Sequence, residues 1–141
     1  MTNKINLNPA GVSIGHDFEY DYIQEITKID YDIENLEINL ETSDLFIKVF
    51  IREVRGYRVL PEGDMLEFWS DFSRRNGWIF EIKTGGWKEL LNHRASNFPI
   101  NEEGLYEYLI NGASECINIL AYEKPIIEIE KNSNKSVKQT D

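Results

Sequence analysis

Four carboxylates in one stretch stand at the spacing of calcium ligands. With Asp30 as position one, Asp32 and Glu34 fall at three and five and Glu41 at twelve, the oxygen-donor order of an EF-hand loop. The rest of the pattern speaks against it. Asn35 stands where the sharp turn needs glycine, Glu37 stands where an apolar residue is usual, and the flanks alternate like strands. The residues therefore read as a carboxylate-rich turn, with no metal assigned.

Nucleophilic chemistry finds less support. Cys116 and His93 could in principle pair as thiolate and base. Cys116, however, lies in an alternating apolar strand, where a free cysteine packs as a small hydrophobe, and His93 lies among polar loop residues. No G-x-S-x-G elbow, P-loop or dinucleotide fingerprint occurs. Acids are so abundant that no single pair stands out for general acid–base work. The expectation is a non-enzyme without a cofactor.

The abundance is local. Between Asp17 and Asp44 the chain holds ten of its 25 acidic residues and one basic residue, Lys28, whereas the remainder is nearly balanced. Phe18, Tyr20, Tyr22 and Ile26 share one parity and Asp17, Glu19, Asp21 and Glu25 the other; Leu36, Ile38 and Leu40 then alternate with Glu37, Asn39 and Glu41. This predicts two strands joined by a polar turn over Asp32 to Asn35, with carboxylates on a shared wet face. Asp17, Glu19, Asp21, Glu25, Glu37 and Glu41 would form the face, and Asp30, Asp32 and Glu34 its turn. Like charges across a strand pair cost stability. The clustering therefore points to a positive partner, either a cation or a basic protein, or to repulsion that blocks edge-to-edge association.

The elements that must carry this face are set by periodicity. Residues 1–15, with Pro9-Ala10-Gly11, read as a partly ordered lead-in. Leu45 to Val54 is apolar on both parities and predicts a central strand, with Gly56 as a bulge and Tyr57 and Val59 extending the strand beyond it. The principal helix is expected from Asp64 to Arg75: Asp64 caps it, Glu67 completes the box, Met65, Leu66, Trp69 and Phe72 form the stripe, and Asn76-Gly77 stops it. Trp78, Phe80 and Ile82 alternate before Thr84-Gly85-Gly86; the next segment, Trp87 to His93, reads either as the second arm of a hairpin or as a short helix. Further strands are expected at Leu105–Ile110, Glu115–Tyr122 and Ile126–Glu130. The fold class is α+β: a largely antiparallel sheet of about seven strands, curved or sandwich-like, with one principal helix, in a single domain over 1–130 and a disordered polar tail over 131–141.

Aromatic side chains Trp69, Trp78, Trp87, Tyr106 and Tyr108 fall mostly on apolar parities and read as core, with Trp87 beside its two glycines the candidate for exposure. Arg52, Arg55 and Arg58 read as a solvated strand edge opposite the acids. A net charge of −10 argues against a phosphate grip built on clustered lysine and arginine. No run approaches a membrane span and the N-terminus carries no apolar signal region, so the expected compartment is the cytoplasm. A lone cysteine forms no internal disulfide.

Two sets of residues carry a family resemblance. The run Gly77-Trp78-Ile79-Phe80-Glu81-Ile82 with Gly85-Gly86-Trp87-Lys88-Glu89-Leu90, and the run Glu107-Tyr108-Leu109-Ile110-Asn111-Gly112 with Cys116-Ile117-Asn118-Ile119-Leu120, resemble small acidic bacterial immunity proteins that accompany polymorphic secreted toxins. The resemblance implies a cytosolic inhibitor that binds one toxin domain and blocks or distorts its active site. A basic, nucleic-acid-targeting toxin would suit the acidic face. The rival expectation is a small-molecule or calcium-binding β-rich domain. Neither nucleic acid nor membrane is expected as a partner, and oligomeric state is not legible.

Overall fold

In a computed structural model the described residues are 9–15, 24–61, 77–94 and 104–131. They form nine strands and one helix: β1 (Ala10–Ser13), β2 (Glu25–Asp32), β3 (Asn35–Glu41), β4 (Leu45–Ile51), β5 (Val54–Pro61), β6 (Ile79–Thr84), α1 (Trp87–Arg94), β7 (Tyr106–Asn111), β8 (Glu115–Ala121) and β9 (Ile126–Lys131). The strands make two antiparallel sheets, one ordered β1-β6-β7-β8-β5 and the other β2-β3-β4-β9. Leu36, Ile38, Leu40, Ile47, Val49 and Ile51 of the smaller sheet share one buried cluster with Ile79, Tyr108, Ile110, Ile117, Ile119 and Ala121 of the larger. The two sheets are therefore stacked as a sandwich. Each aliphatic side chain of that layer contributes about 1.5–3 kcal/mol relative to exposure.

Period-two alternation explains the inner face of β3, which reads buried at Leu36, Ile38 and Leu40 and half-buried between them. β2 departs from strict alternation. Ile26 opposes Leu40 and Ile29 opposes Ile38, with a register shift between Ile26 and Lys28. Thr27 is the inserted residue of a β-bulge, and the shift exchanges the two faces for the rest of the strand.

The Leu45–Val54 segment does not continue as one strand. β4 ends at Ile51, and the chain turns through Arg52 and Glu53, the latter at φ 55, into the opposite sheet as β5. A bulge near Gly56 does occur, as a register shift between Val54 and Gly56. Part of the expected lead-in is ordered: β1 pairs with β6. After the Gly85-Gly86 turn the chain forms α1, the helical alternative. The predicted principal helix over 64–75 lies outside the described residues, as does the tail beyond Lys131. What stands is a mostly antiparallel β architecture with one short helix among the described residues.

Hydrogen bonds join the sheets at both ends. At one end Gln24 Nε2 donates to the Asn111 carbonyl (2.9 Å) and Ala113 N–H to the Gln24 carbonyl (2.7 Å). At the other, Val54 N–H donates to the Glu34 carbonyl (2.8 Å) and Tyr122 N–H to the Glu53 carbonyl (3.0 Å).

Candidate functional site

The outward face of the smaller sheet is where the acids collect. Register puts Glu25 opposite Glu41, and Asp30 opposite Glu37, with Asp32 opposite Asn35. Across the next ladders Glu37 lies beside Phe50 and Ile126, Asn39 beside Lys48 and Glu128, and Glu41 beside Phe46 and Glu130. The sequence-derived face is thus partly redrawn. Glu25, Glu37 and Glu41 are on it as expected; Asp30 and Asp32 stand on the sheet face and not in the turn, because the Thr27 bulge swings them outward. Glu34 remains in the turn, and Asp17, Glu19 and Asp21 lie outside the described residues.

Four features of this face escaped sequence reasoning. Glu128 and Glu130 extend it from β9, and Phe46, Phe50 and Ile126 give it an apolar component. Lys28 and Lys48 flank Asn39, whose Oδ1 is buried with no hydrogen-bond partner among the described residues. The ladder positions of β9 could not be foreseen without knowing that it pairs with β4, some eighty residues upstream in the chain.

The acids at the calcium-ligand spacing lie apart in the structure. Asp30 faces Glu37 across the ladder, and Glu41 lies four residues further along the same strand, about 13 Å at ~3.3 Å per residue. The four acids do not converge. No group of three or more potential metal-ligating side chains comes together among the described residues.

A second carboxylate arrangement lies on the far face of the larger sheet. Glu107, 2% exposed, accepts from the backbone N–H of Trp87 at Oε2 (2.9 Å) and of Lys88 at Oε1 (2.8 Å). It thereby caps α1 from another strand, in place of the helix's own N-cap side chain, which is the hydrogen of Gly86. A Cβ on Gly86 would lie 2.8 Å from the Glu107 carboxyl carbon, so only glycine admits the cap. Asn118 Nδ2 approaches Glu107 Oε2 (3.4 Å), Arg58 Nε donates to Asn118 Oδ1 (3.0 Å), and the Arg58 guanidinium sits 5.0 Å from the Trp87 ring centroid. Burial pushes the Glu107 carboxyl above its usual range, opposed by the Lys88 and Trp87 N–H groups and by the charges of Arg58 and Lys88.

Two expectations change here: Trp87 is half-buried beneath Arg58, and Arg58, though on the edge strand β5, is half-buried and engaged with Asn118 and Trp87, whereas Arg52 and Arg55 are exposed. Trp78 and Tyr108 are core residues as read, while Trp69 and the His93 side chain lie outside the described residues. The Tyr108 hydroxyl donates to the Glu123 carbonyl (3.4 Å), and burial, with Glu81, Tyr106 and Glu123 nearby, raises its pKa so that it stays protonated. Cys116 is buried among Phe80, Ile82 and Leu109. A cavity of about 220 Å³ beside the cap is lined by Lys83, Gly85, Gly86, Lys88 and Glu107.

No protein-family model matches the chain, and neither a curated protein nor a solved structure matches it. No helix among the described residues is long and apolar enough to cross a membrane.

Proposed function

We propose that this protein is an immunity-type inhibitor that binds and neutralises a basic, cognate toxin domain through the outward face of β2, β3, β4 and β9. The observation that carries this reading is the direct opposition of Asp30 to Glu37 and of Glu25 to Glu41. Like-charge pairs across a ladder oppose folding by roughly 0.2–1 kcal/mol each, and a mixed-sign surface would keep the chain equally soluble. A basic partner turns that cost into attraction and speeds encounter. Phe46, Phe50 and Ile126 supply the apolar contact that a stable interface needs. The family resemblance of the β6–α1 and β7–β8 runs supports the same reading, with the cytoplasm as its compartment.

The test is co-expression. The C-terminal domain encoded by the gene immediately upstream is expressed alone and with this protein, and growth is followed. Rescue supports the inhibitor; a harmless neighbour, or killing despite co-expression, removes it.

One observation favours a second reading, a small-molecule-binding β-domain: the cavity beside the buried Glu107. A ligand screen that raises Tm in the wild type but not in a Lys88→Ala variant would support it.

A further inference from the structure

Three turns meet at one end of the sandwich: Ile33–Glu34 between β2 and β3, Arg52–Glu53 between β4 and β5, and the 122–125 link between β8 and β9. They are tied by the Val54-to-Glu34 and Tyr122-to-Glu53 backbone hydrogen bonds. Both non-glycine residues at positive φ among those described, Ile33 (φ 63) and Glu53 (φ 55), are here. So are three of the four exposed large apolar side chains described: Ile33 at 81%, Tyr31 at 47% and Ile126 at 46%. A cavity of about 330 Å³ lined by Arg52, Tyr106, Tyr122 and Ile126 opens at the same end.

Ile33 is the anomaly. The first central position of a two-residue hairpin turn takes a positive φ, which glycine, asparagine or aspartate adopts easily and a β-branched residue does not. The position is also almost fully exposed, so no burial offsets the strain. Folding alone gives no reason for isoleucine at this point, and strained backbone that persists is a mark of function.

We infer that Ile33 is the apolar anchor of the partner interface, inserting into an apolar pocket with a basic rim on the toxin domain. The inference rests on the inhibitor reading above and names the residue on which it turns. Asp32 and Glu34 flank the anchor along the chain, and Asp30 and Glu37 lie next on the adjoining sheet face, so carboxylates border the apolar tip on the side of the smaller sheet, while Arg52 and Lys124 line the cavity at the same end. An apolar centre surrounded by polar groups that exclude water is the pattern of a binding hot spot. The hydrogen bonds between the turns hold the tip in place before binding, which limits the ordering cost on association. Tyr31 and Ile126 widen the contact on either side.

The experiment compares wild type, Ile33→Gly, Ile126→Thr and Val12→Thr. Val12 is the fourth exposed apolar residue and lies on β1, at the edge of the larger sheet opposite β5. First, thermal unfolding of the free proteins: Ile33→Gly should raise Tm by about 2–5 °C through relief of strain, and a fall in Tm would make Ile33 a structural residue and overturn the inference. Second, binding kinetics with the purified upstream-encoded domain: Ile33→Gly should dissociate at least about tenfold faster, Ile126→Thr by a smaller factor, and Val12→Thr should match wild type. Wild-type binding that Ile33→Gly leaves unchanged, or that Val12→Thr weakens as much, overturns the anchor and spares the inhibitor reading. Absence of wild-type binding removes both.

Discussion

Carboxylates occupy the outward faces of both sheets, under opposite conditions. On the larger sheet Glu107 is buried, and both of its oxygens accept hydrogen bonds from α1, with Asn118 and Arg58 behind it. On the smaller sheet Asp30, Glu37, Glu25 and Glu41 face solvent with carboxylates as their cross-strand neighbours. One arrangement meets its carboxyl with several donors from its own chain, whereas the other sets carboxylates against one another, with the Ser114 hydroxyl near Glu25 (3.3 Å) as a side-chain donor, at some loss of stability. The difference teaches how to tell a structural acid from an interaction acid: count the donors that meet it within its own chain.

The sharpest way to test the contrast is to remove each kind. Glu107→Ala strips the α1 cap and leaves the Trp87 and Lys88 N–H groups and Asn118 Nδ2 without their acceptor, so a loss of about 3 kcal/mol is expected in urea unfolding. A loss below about 1 kcal/mol would mean that the cap is not what fixes α1. Gly86→Ala should cost about 2 kcal/mol, because the added methyl displaces the same carboxylate; combining it with Glu107→Ala should cost less than the sum.

Titration separates the two faces next. The Glu107 pKa is raised on folding, so between the unfolded and folded values the native state binds the extra proton. Stability conferred by the protonated form is complete below the unfolded pKa and is lost as pH rises through the folded one. Unfolding followed upward from the ordinary glutamate range should show that decline in wild type and a flatter profile in Glu107→Gln. The smallest effect is expected on the exposed face: Asp30→Lys, set opposite Glu37, should stabilise by about 0.5 kcal/mol while slowing association with the proposed basic partner about tenfold at low salt. A destabilised Asp30→Lys would contradict the view that this face opposes folding.

Much of the strand plan was legible because β3 and β9 alternate, and β7 and β8 are near-continuous apolar runs, between turn residues. Sheet membership was not. Nothing local at Arg52-Glu53 distinguishes a bulged continuation from a crossing into the other sheet, since both need the same break in pairing. The Thr27 bulge was hidden for a related reason: Ile26 and Ile29 are both apolar, and a one-residue insertion that keeps both inward leaves no trace in composition. The Gly85-Gly86 pair fitted a hairpin or a helix start equally well. What decided between them is Glu107, a solitary acid in the apolar run Leu105-Tyr106-Glu107-Tyr108-Leu109-Ile110. Such an acid is the one available hint of a buried cap, and its helix is recognisable only in three dimensions. The acidic stretch, by contrast, was conspicuous in the sequence because ten acids stand there against a single lysine, Lys28.

The crossings between sheets bear on the order in which the molecule can be assembled. β4 lies in the smaller sheet, β5 to β8 build the larger one, and only then does β9 return to pair with β4 along Leu45–Lys131 and its successive partners. During synthesis the acidic strands therefore emerge early and wait for a companion made last, their inner isoleucines and leucines uncovered until the larger sheet has formed beneath them. Long-range pairing of this kind slows folding and lengthens the exposure of sticky intermediates. Mutual repulsion among the early carboxylates would keep two nascent chains from joining edge to edge in that interval, so the charge that suits the finished protein for a basic partner would also protect it before it is finished.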